Sequence, residues 1–334
     1  MAQAETEQLN RILTSVSVAY GIGSVTELGI PDLIQAGQPQ PVSSLATATK
    51  THEPSLYRVL RLLASNGIFQ ETTNRHFDHT PLSAVLRSDA PGSYHAGARF
   101  FHRLFPAWNG LHHSIQTGEP GFNKVFGAHV FEYVGRNPEW GPILDGGMSS
   151  FHGYETQAML DAYDFSGIQT LADIGGGNGS LISAVLKRYP GMNGILFDLG
   201  HVMERAKQNL QAAGVADRCS MIEGSFFDSI PSGADAYLMR HVIHDWTDEQ
   251  CGQILDHCRN VIPAGGRLLI VECVVPSGND PSPAKDFDIA MMTLPGGQER
   301  TEVEFRWLLN ASGFELASIT PTSTMVCVVE GRPV

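Results

Sequence analysis

The apolar positions of this chain follow two different rhythms. Up to about residue 165 they recur every three or four residues, the spacing of helices with one buried face. Leu9, Ile12, Leu13, Val16, Ala19, Tyr20 and Val25 mark such a helix over Leu9 to Leu28. Its place near the chain start and its wide apolar face predict packing on a second subunit; packing on its own domain is the alternative. A short helix is expected at Pro31 to Ile34, and another from Pro41-Val42-Ser43-Ser44, with Ser43 or Ser44 as the cap. Leu56, Val59, Leu60, Leu62 and Leu63 make Pro54 to Asn66 strongly amphipathic, and Gly67 closes that helix. Ile68 to Glu71 and His76 to His79 read as short strands around Thr73-Asn74, so this part outlines a winged helix. Further helices are expected at Pro81 to Leu86, over the aromatic-rich Gly92 to Gly118, and at Val130 to Val134, Pro138 to Phe151 and Tyr154 to Tyr163.

From Thr170 strands and helices alternate, the signature of a parallel sheet covered on both faces. Strands are expected at Thr170–Ile174, Gly194–Leu199, Cys219–Glu223, Ala234–Arg240, Arg267–Val274, Phe314–Ile319 and Met325–Glu330. Helices fall near Ser180–Arg188, Val202–Ala213, Thr247–Val261 and Glu302–Ala311. Only Thr320 to Thr324 joins the last two strands, and a link that short forces antiparallel pairing. The expected fold is therefore α/β: a seven-stranded, mostly parallel sheet with its last strand reversed, preceded by a mainly α winged-helix domain. The expected divisions are 1–90, a helical connector over 91–165, and the sheet domain over 166–334.

Charge narrows what the winged helix can do. Between Val42 and Ser88 the basic residues Lys50, Arg58, Arg61, Arg75 and Arg87 are scattered and partly offset by Glu53, Glu71 and Asp78. Phosphate recognition needs clustered positive charge, and the whole chain carries a formal charge of −13, so neither nucleic acid nor an anionic membrane is an expected partner. The polar start does not read as a signal peptide, and no stretch is long and apolar enough to span a bilayer. The five cysteines are scattered, with no Cys-x-x-Cys, which points to a reduced, cytoplasmic protein without a zinc ribbon.

The candidate chemistry begins at Leu171 to Ser180, a strand end, a loop built from Gly175, Gly176, Gly177 and Gly179, and an apolar helix start. Bare backbone there lets a nucleotide approach a helix N-terminus. A dinucleotide fingerprint would want glycine where Ser180 stands, and Asp173 before the loop would repel a pyrophosphate. A carboxylate suits a cationic neighbour instead, and S-adenosylmethionine carries an ammonium and a sulfonium. Asp198 ends the next strand, where an acid can accept both ribose hydroxyls of either cofactor class.

A second constellation follows the fourth strand, Met239-Arg240-His241-Val242-Ile243-His244-Asp245-Trp246. Ligands of open α/β sheets bind beyond the carboxyl ends of the strands, which places His244 at a ligand end. Glu272, inside the apolar run of the fifth strand, and Glu299, after Pro295-Gly296-Gly297-Gln298, fall at similar ends. One acid can orient His244 through one ring nitrogen while the other faces substrate. A metal site from His241, His244, Asp245 and Asp248 competes with a direction of Asp248 away along its helix, and no metal is expected.

These motifs resemble the small-molecule O-methyltransferases of the caffeic acid and hydroxyindole type, which have many bacterial members. The resemblance rests on Asp173–Gly179, Phe197-Asp198-Leu199, Gly224-Ser225-Phe226-Phe227, His244-Asp245-Trp246, Glu272-Cys273 and Gly296-Gly297-Gln298-Glu299-Arg300-Thr301, with Thr117–Pro120 and Phe131–Tyr133 upstream. It implies that His244 is the general base, flanked by Glu272 and Glu299. It implies that Asp173, Gly175, Gly177 and neighbours hold the methionine end of S-adenosylmethionine, and Asp198 with Leu199 the ribose. Gly224, Ser225 and Phe226 would meet adenine, with Arg240 closing that side. The winged helix would be a homodimerisation device. Ser225 stands where the family often has aspartate, which bears on cofactor affinity. Trp108, Met148, Phe151, Asp245, Met291, Met292 and Leu294 are the candidates for an aromatic acceptor's cavity. A phenol titrates near 10 and imidazole near 6.5, so full prior deprotonation would cost on the order of 5 kcal/mol, and loss of the proton as the methyl arrives is expected. The alternatives are a relative that uses the same cofactor for decarboxylation or hydroxylation, and a winged-helix regulator.

Overall fold

The computed structural model describes residues 2–334, apart from the side chains at 2, 145, 149, 151, 152 and 201. The chain forms two compact units, Met1–Asn109 with Glu132–His152, and Gly110–Phe131 with Gly153–Val334.

In the first unit the leading helix is divided at Ser15 into Ala2–Thr14 and Val16–Glu27. Leu9, Ile12, Leu13 and Val16 lie more than half exposed, whereas Val25 is buried with Ile30, Leu45, Leu60, Leu63, Phe69 and Phe77 in a small core. That core is covered by helices Val42–Thr49 and Glu53–Ser65 and by a small three-stranded antiparallel sheet. Strands β2 (Phe69–Glu71) and β3 (His76–His79) form the hairpin read in the sequence; β1 (Gln40–Pro41) is an added edge. The expected serine caps are absent. Pro41 takes the N-cap position with extended backbone, and Ser43 and Ser44 lie inside the first turn. Gly92 to Gly118 is not one helix but His95–Leu104, a 3-10 stretch Phe105–Gly110 and Leu111–Thr117. Pro106 removes a backbone donor at the change of helix type. The break expected near residue 152 does not occur, because Gly141–Ala162 runs as one helix. A glycine inside a helix costs only about 1 kcal/mol, less than the burial of Ala158, Met159 and Leu160 returns.

The second unit holds strands β4 (Thr170–Ile174), β5 (Asn193–Asp198), β6 (Cys219–Glu223), β7 (Ala236–Arg240), β8 (Arg267–Cys273), β9 (Phe314–Pro321) and β10 (Val326–Pro333). They form a seven-stranded sheet in the order β6-β5-β4-β7-β8-β10-β9. β10 pairs antiparallel with both β8 and β9, while the pairings from β6 to β8 are parallel. Residues alternate between faces. Leu171 and Leu238 join one core with Leu181, Val185 and Leu210; Ala172, Tyr237 and Met239 join the other with Ile254, Leu255 and Phe305. Helices Ser180–Arg188, Gly200–Ala213, Asp248–Val261 and Glu302–Ala311 match the expected four within two residues at either end. A further helix, Pro283–Thr293, is not among the expected elements although Ser282 caps it by accepting from the Ala284 N–H. Its fully buried face is short, Ala284, Ala290, Met291 and Thr293, and gives no long apolar stripe. The parallel strands β4, β5, β7 and β8 end together, so the glycine loop, Asp198, the His244 turn and Glu272 share one rim.

Candidate active site

The glycine loop leaves β4 with Gly175, Gly177 and Gly179 all at positive φ, a conformation that side-chain-bearing residues adopt only at a cost. The Gly175 N–H donates to the Phe197 carbonyl at 2.8 Å, and Gly179 caps helix Ser180–Arg188. Asp198 is held in place by two backbone donors, Gly177 at 2.7 Å and Leu199 at 2.7 Å, and its own carbonyl accepts from Gly224 at 3.0 Å. Loop, Asp198, Leu199 and Gly224 are therefore one backbone-bonded cluster. Asp173 is almost wholly buried beneath the loop, with Oδ2 lacking any hydrogen-bond partner. Burial pushes its carboxyl up to about 7, against the pull of Arg240 and with the added push of Asp198. A buried carboxylate oxygen without a donor fits a cationic group and no phosphate. Ser225 turns its hydroxyl to its own loop, accepting from the Phe227 N–H at 3.2 Å. Phe226 lies edge-on to Trp246 at 6.0 Å and Phe227 at 4.9 Å, an aromatic cluster that Phe131 joins at 6.1 Å from Trp246.

His244 sits in a short 3-10 turn, Ile243–Asp245, directly after β7. Its ring is 5% exposed, and Nδ1 lies 2.6 Å from Glu299 Oε1. Glu272 does not touch the ring. Its Oε1 accepts from the backbone N–H groups of Val242 at 3.2 Å and His244 at 3.1 Å, so it holds the turn and not the imidazole. Asp245 Oδ1 lies 3.6 Å from His244 Nε2. The acids around the ring are all held above the ordinary carboxylate range, chiefly by burial: Asp245 at about 6 although a fifth of its side chain is exposed, Glu272 at about 7, and Glu299 at about 8 with Asp288 adding to the push.

The turn is clamped from the other side. Gly297 passes so close that a Cβ there would overlap the His244 carbonyl, which explains the glycine. The Gln298 N–H donates to that carbonyl at 2.9 Å, and its side-chain amide reaches Asp248 Oδ1 at 2.9 Å. Arg300, 1% exposed, donates to Asp248 at 2.7 and 3.1 Å, to the Ile243 carbonyl at 3.2 Å and to the Trp246 carbonyl at 3.3 Å. Asp248 thus faces Arg300 and Gln298. Among the described residues no group of His, Cys, Asp or Glu is arranged to hold a metal ion.

The candidates for the acceptor separate. Met291, Met292 and Leu294 lie on the helix Pro283–Thr293 and its end, Met291 buried and the other two half-buried. The same helix brings Phe287 against the His244 ring at 5.7 Å, and its Asp288 accepts from the Glu299 N–H at 2.9 Å. Trp108 and Met148 belong to the other unit, and the side chain of Phe151 lies outside the described residues. Residues not singled out by the sequence also appear here. Glu155, buried on the helix Gly141–Ala162, lies 2.8 Å from His241 Nε2, and Arg240 donates to Thr156 at 2.7 Å. An acid three and four positions before Ala158 and Met159 on one helical stripe was the available signal.

Comparison with known proteins gives one consistent family. The model of the O-methyltransferase domain matches residues 108–315, and that of the O-methyltransferase dimerisation domain matches 11–89. The chain is 41% identical to the phenazine O-methyltransferase PhzM of Lysobacter antibioticus, covering 98% of this chain and 96% of that one. It is 38% identical to the mitomycin biosynthesis 6-O-methyltransferase of Streptomyces lavendulae, over 95% and 91% of the two chains. The crystal structure of LaPhzM superposes with a TM-score of 0.92 at 41% identity, over 98% of this chain and 99% of that one. NcsB1 from neocarzinostatin biosynthesis, solved with S-adenosylmethionine and 2-hydroxy-5-methyl naphthoic acid, superposes with a TM-score of 0.86 at 28% identity, over 97% and 98%.

Proposed function

Because this chain belongs to the O-methyltransferase family with its dimerisation domain, we propose that it methylates a hydroxyl of an aromatic small molecule from S-adenosylmethionine, with His244 as the general base. The observation that carries the role of His244 is its contact with Glu299, a buried imidazole whose Nδ1 is occupied at 2.6 Å, at the strand end beside the glycine loop. S-adenosylmethionine, when bound, supplies a methyl group made electrophilic by its sulfonium. Asp173 and the loop around Gly175 and Gly177 would hold the cationic end, and Asp198 the ribose. Ser225 and Phe226 would meet adenine. With Nδ1–H donated to Glu299, Nε2 is the nitrogen left to take the acceptor's proton, and the imidazolium so formed keeps a carboxyl partner. Glu272, Gln298 and Arg300 hold the turn still, which is what a proton transfer over hydrogen-bond distance requires.

Within the sheet domain the acceptor cavity is assigned to Met291, Met292, Leu294 and Asp245. A homodimer formed through residues 1–90 is proposed on the matched dimerisation domain and the exposed Leu9, Ile12, Leu13 and Val16. No helix among the described residues is long and apolar enough to cross a membrane, and a place in the cytoplasm is proposed on that and on the scattered cysteines.

The test is incubation with isotope-labelled S-adenosylmethionine and a panel of phenols, naphthols and hydroxyindoles, read by product mass. His244→Ala should lose about 10²–10⁴-fold in turnover while still binding S-adenosylhomocysteine. Undiminished methylation by that variant would refute the base, and a product without the added methyl mass would refute the reaction.

A further inference from the structure

Beside the His244–Glu299 contact lies a second one of the same kind that the reaction above leaves unused. His241 Nε2 is 2.8 Å from Glu155 Oε2, with both side chains under one-tenth exposed. The His241 ring packs on the His244 ring at a centroid distance of 4.9 Å and a tilt of 33°, and Phe287 closes on both. His241 reaches this place with φ at +54°, in the left-handed region that a residue with a Cβ adopts only when its surroundings demand it. The neighbouring Arg240 donates to Thr156, so two successive residues of the strand end are tied to two successive residues of one helix. Such a ladder fixes the ring of His241, and with it the surface against which His244 rests.

We propose that His241 and Glu155 form a positioning dyad, in which His241 fixes the plane of the His244 ring and Glu155 supplies a nearby negative charge that stabilises the His244 imidazolium. The proposal rests on the reading of His244 as the base. His241 serves as a neutral spacer. Burial is the main cause that lowers its affinity for a proton, against the pull of Glu155, and Arg240 and the His244 imidazolium, once formed, add to the lowering. Two imidazoles this close do not readily share two positive charges, so the charge created by proton transfer stays on His244. The other ionisable groups around the pair are Arg240 and Asp245 from its own segment, Asp173 from β4, Glu272 and Cys273 from β8, Glu299 and Arg300 before helix Glu302–Ala311, and Asp288. Burial holds Asp173, Glu272 and Glu299 among them above the usual carboxylate range. Glu155, set behind the second ring, is a further acid beside the pair and the one bonded to His241.

The experiment is a titration of ¹⁵N-histidine ring signals in the full-length protein, assigned with His244→Ala. Glu155→Gln keeps size and an acceptor for His241 but removes the charge, so the His244 midpoint should fall by roughly one pH unit. The acid limb of kcat/KM should move the same way. Glu155→Asp keeps the charge and should keep the midpoint. A midpoint unmoved in Glu155→Gln overturns the electrostatic half of the proposal. His241→Asn, chosen because asparagine tolerates left-handed backbone, should lose about tenfold in kcat with cofactor affinity unchanged. Unchanged kcat in that variant overturns the positioning half. The titration needs no acceptor, so it stands even if His244→Ala were to retain methyl transfer and the base itself had to be reassigned.

Discussion

Glu299 Oε1 lies 2.6 Å from His244 Nδ1, across 55 residues of sequence, while the second acid, Glu272, reaches only the backbone N–H of the same histidine at 3.1 Å. The two glutamates therefore do different work. One partners the ring, and the other fixes the turn that carries it.

Glu299→Gln separates these roles. The amide still accepts from Nδ1–H, so geometry survives, but the carboxyl that stabilises an imidazolium is gone. The expected outcome is a loss of about tenfold or more in kcat at unchanged affinity for S-adenosylhomocysteine, measured by steady-state kinetics and calorimetry. A loss of cofactor affinity equal to the loss of kcat would contradict the assignment.

With Asp173 in the proposed cofactor site, that site should have a pH dependence. Its carboxyl, lifted to about 7 by burial, is protonated below that value and charged above it. A cationic ligand beside it binds the charged form better. Affinity for S-adenosylmethionine should therefore rise from pH 6 to pH 8, by up to about tenfold for one unit of coupling, and Asp173→Asn should flatten the curve. Calorimetric titration at several pH values checks the sign.

Arg300 spans Asp248 and the carbonyls of Ile243 and Trp246, three partners that no lysine ammonium can meet in the same geometry. Arg300→Lys should destabilise the fold by on the order of 2 kcal/mol, since buried carbonyls lose their donors. Turnover should fall with it. Denaturant unfolding gives the first quantity, and a variant as stable as the parent would show that the clamp is not needed.

The N-terminal helices leave Ile12 at 62% and Leu13 at 64% exposure. If that face joins two subunits, Ile12→Glu with Leu13→Glu should convert a dimer to a monomer in sedimentation equilibrium, because burying a carboxylate unpaired is costly. A dimer unchanged by both charges would place the interface elsewhere.

The sequence alone determined the architecture of the sheet. Apolar runs separated by helical periods fixed the strands within a few residues, and the five-residue link from Thr320 to Thr324 fixed the reversed β10, because period and chain length are local properties. It also marked the glycine loop, Asp198, His244, Glu272 and Glu299, each a residue type out of place in its local pattern. What lay beyond it was which side chain meets which. Both glutamates read alike as buried acids at strand ends, and only the fold set one against an imidazole and the other against an amide. The helix Pro283–Thr293, the clamp of Gly297 and Arg300 on the His244 turn, and the pairing of Glu155 with His241 across 86 residues were likewise decided by tertiary structure. Hydrogen bonds and ring contacts over such separations depend on distances of a few tenths of an ångström, and no pattern along the chain encodes those.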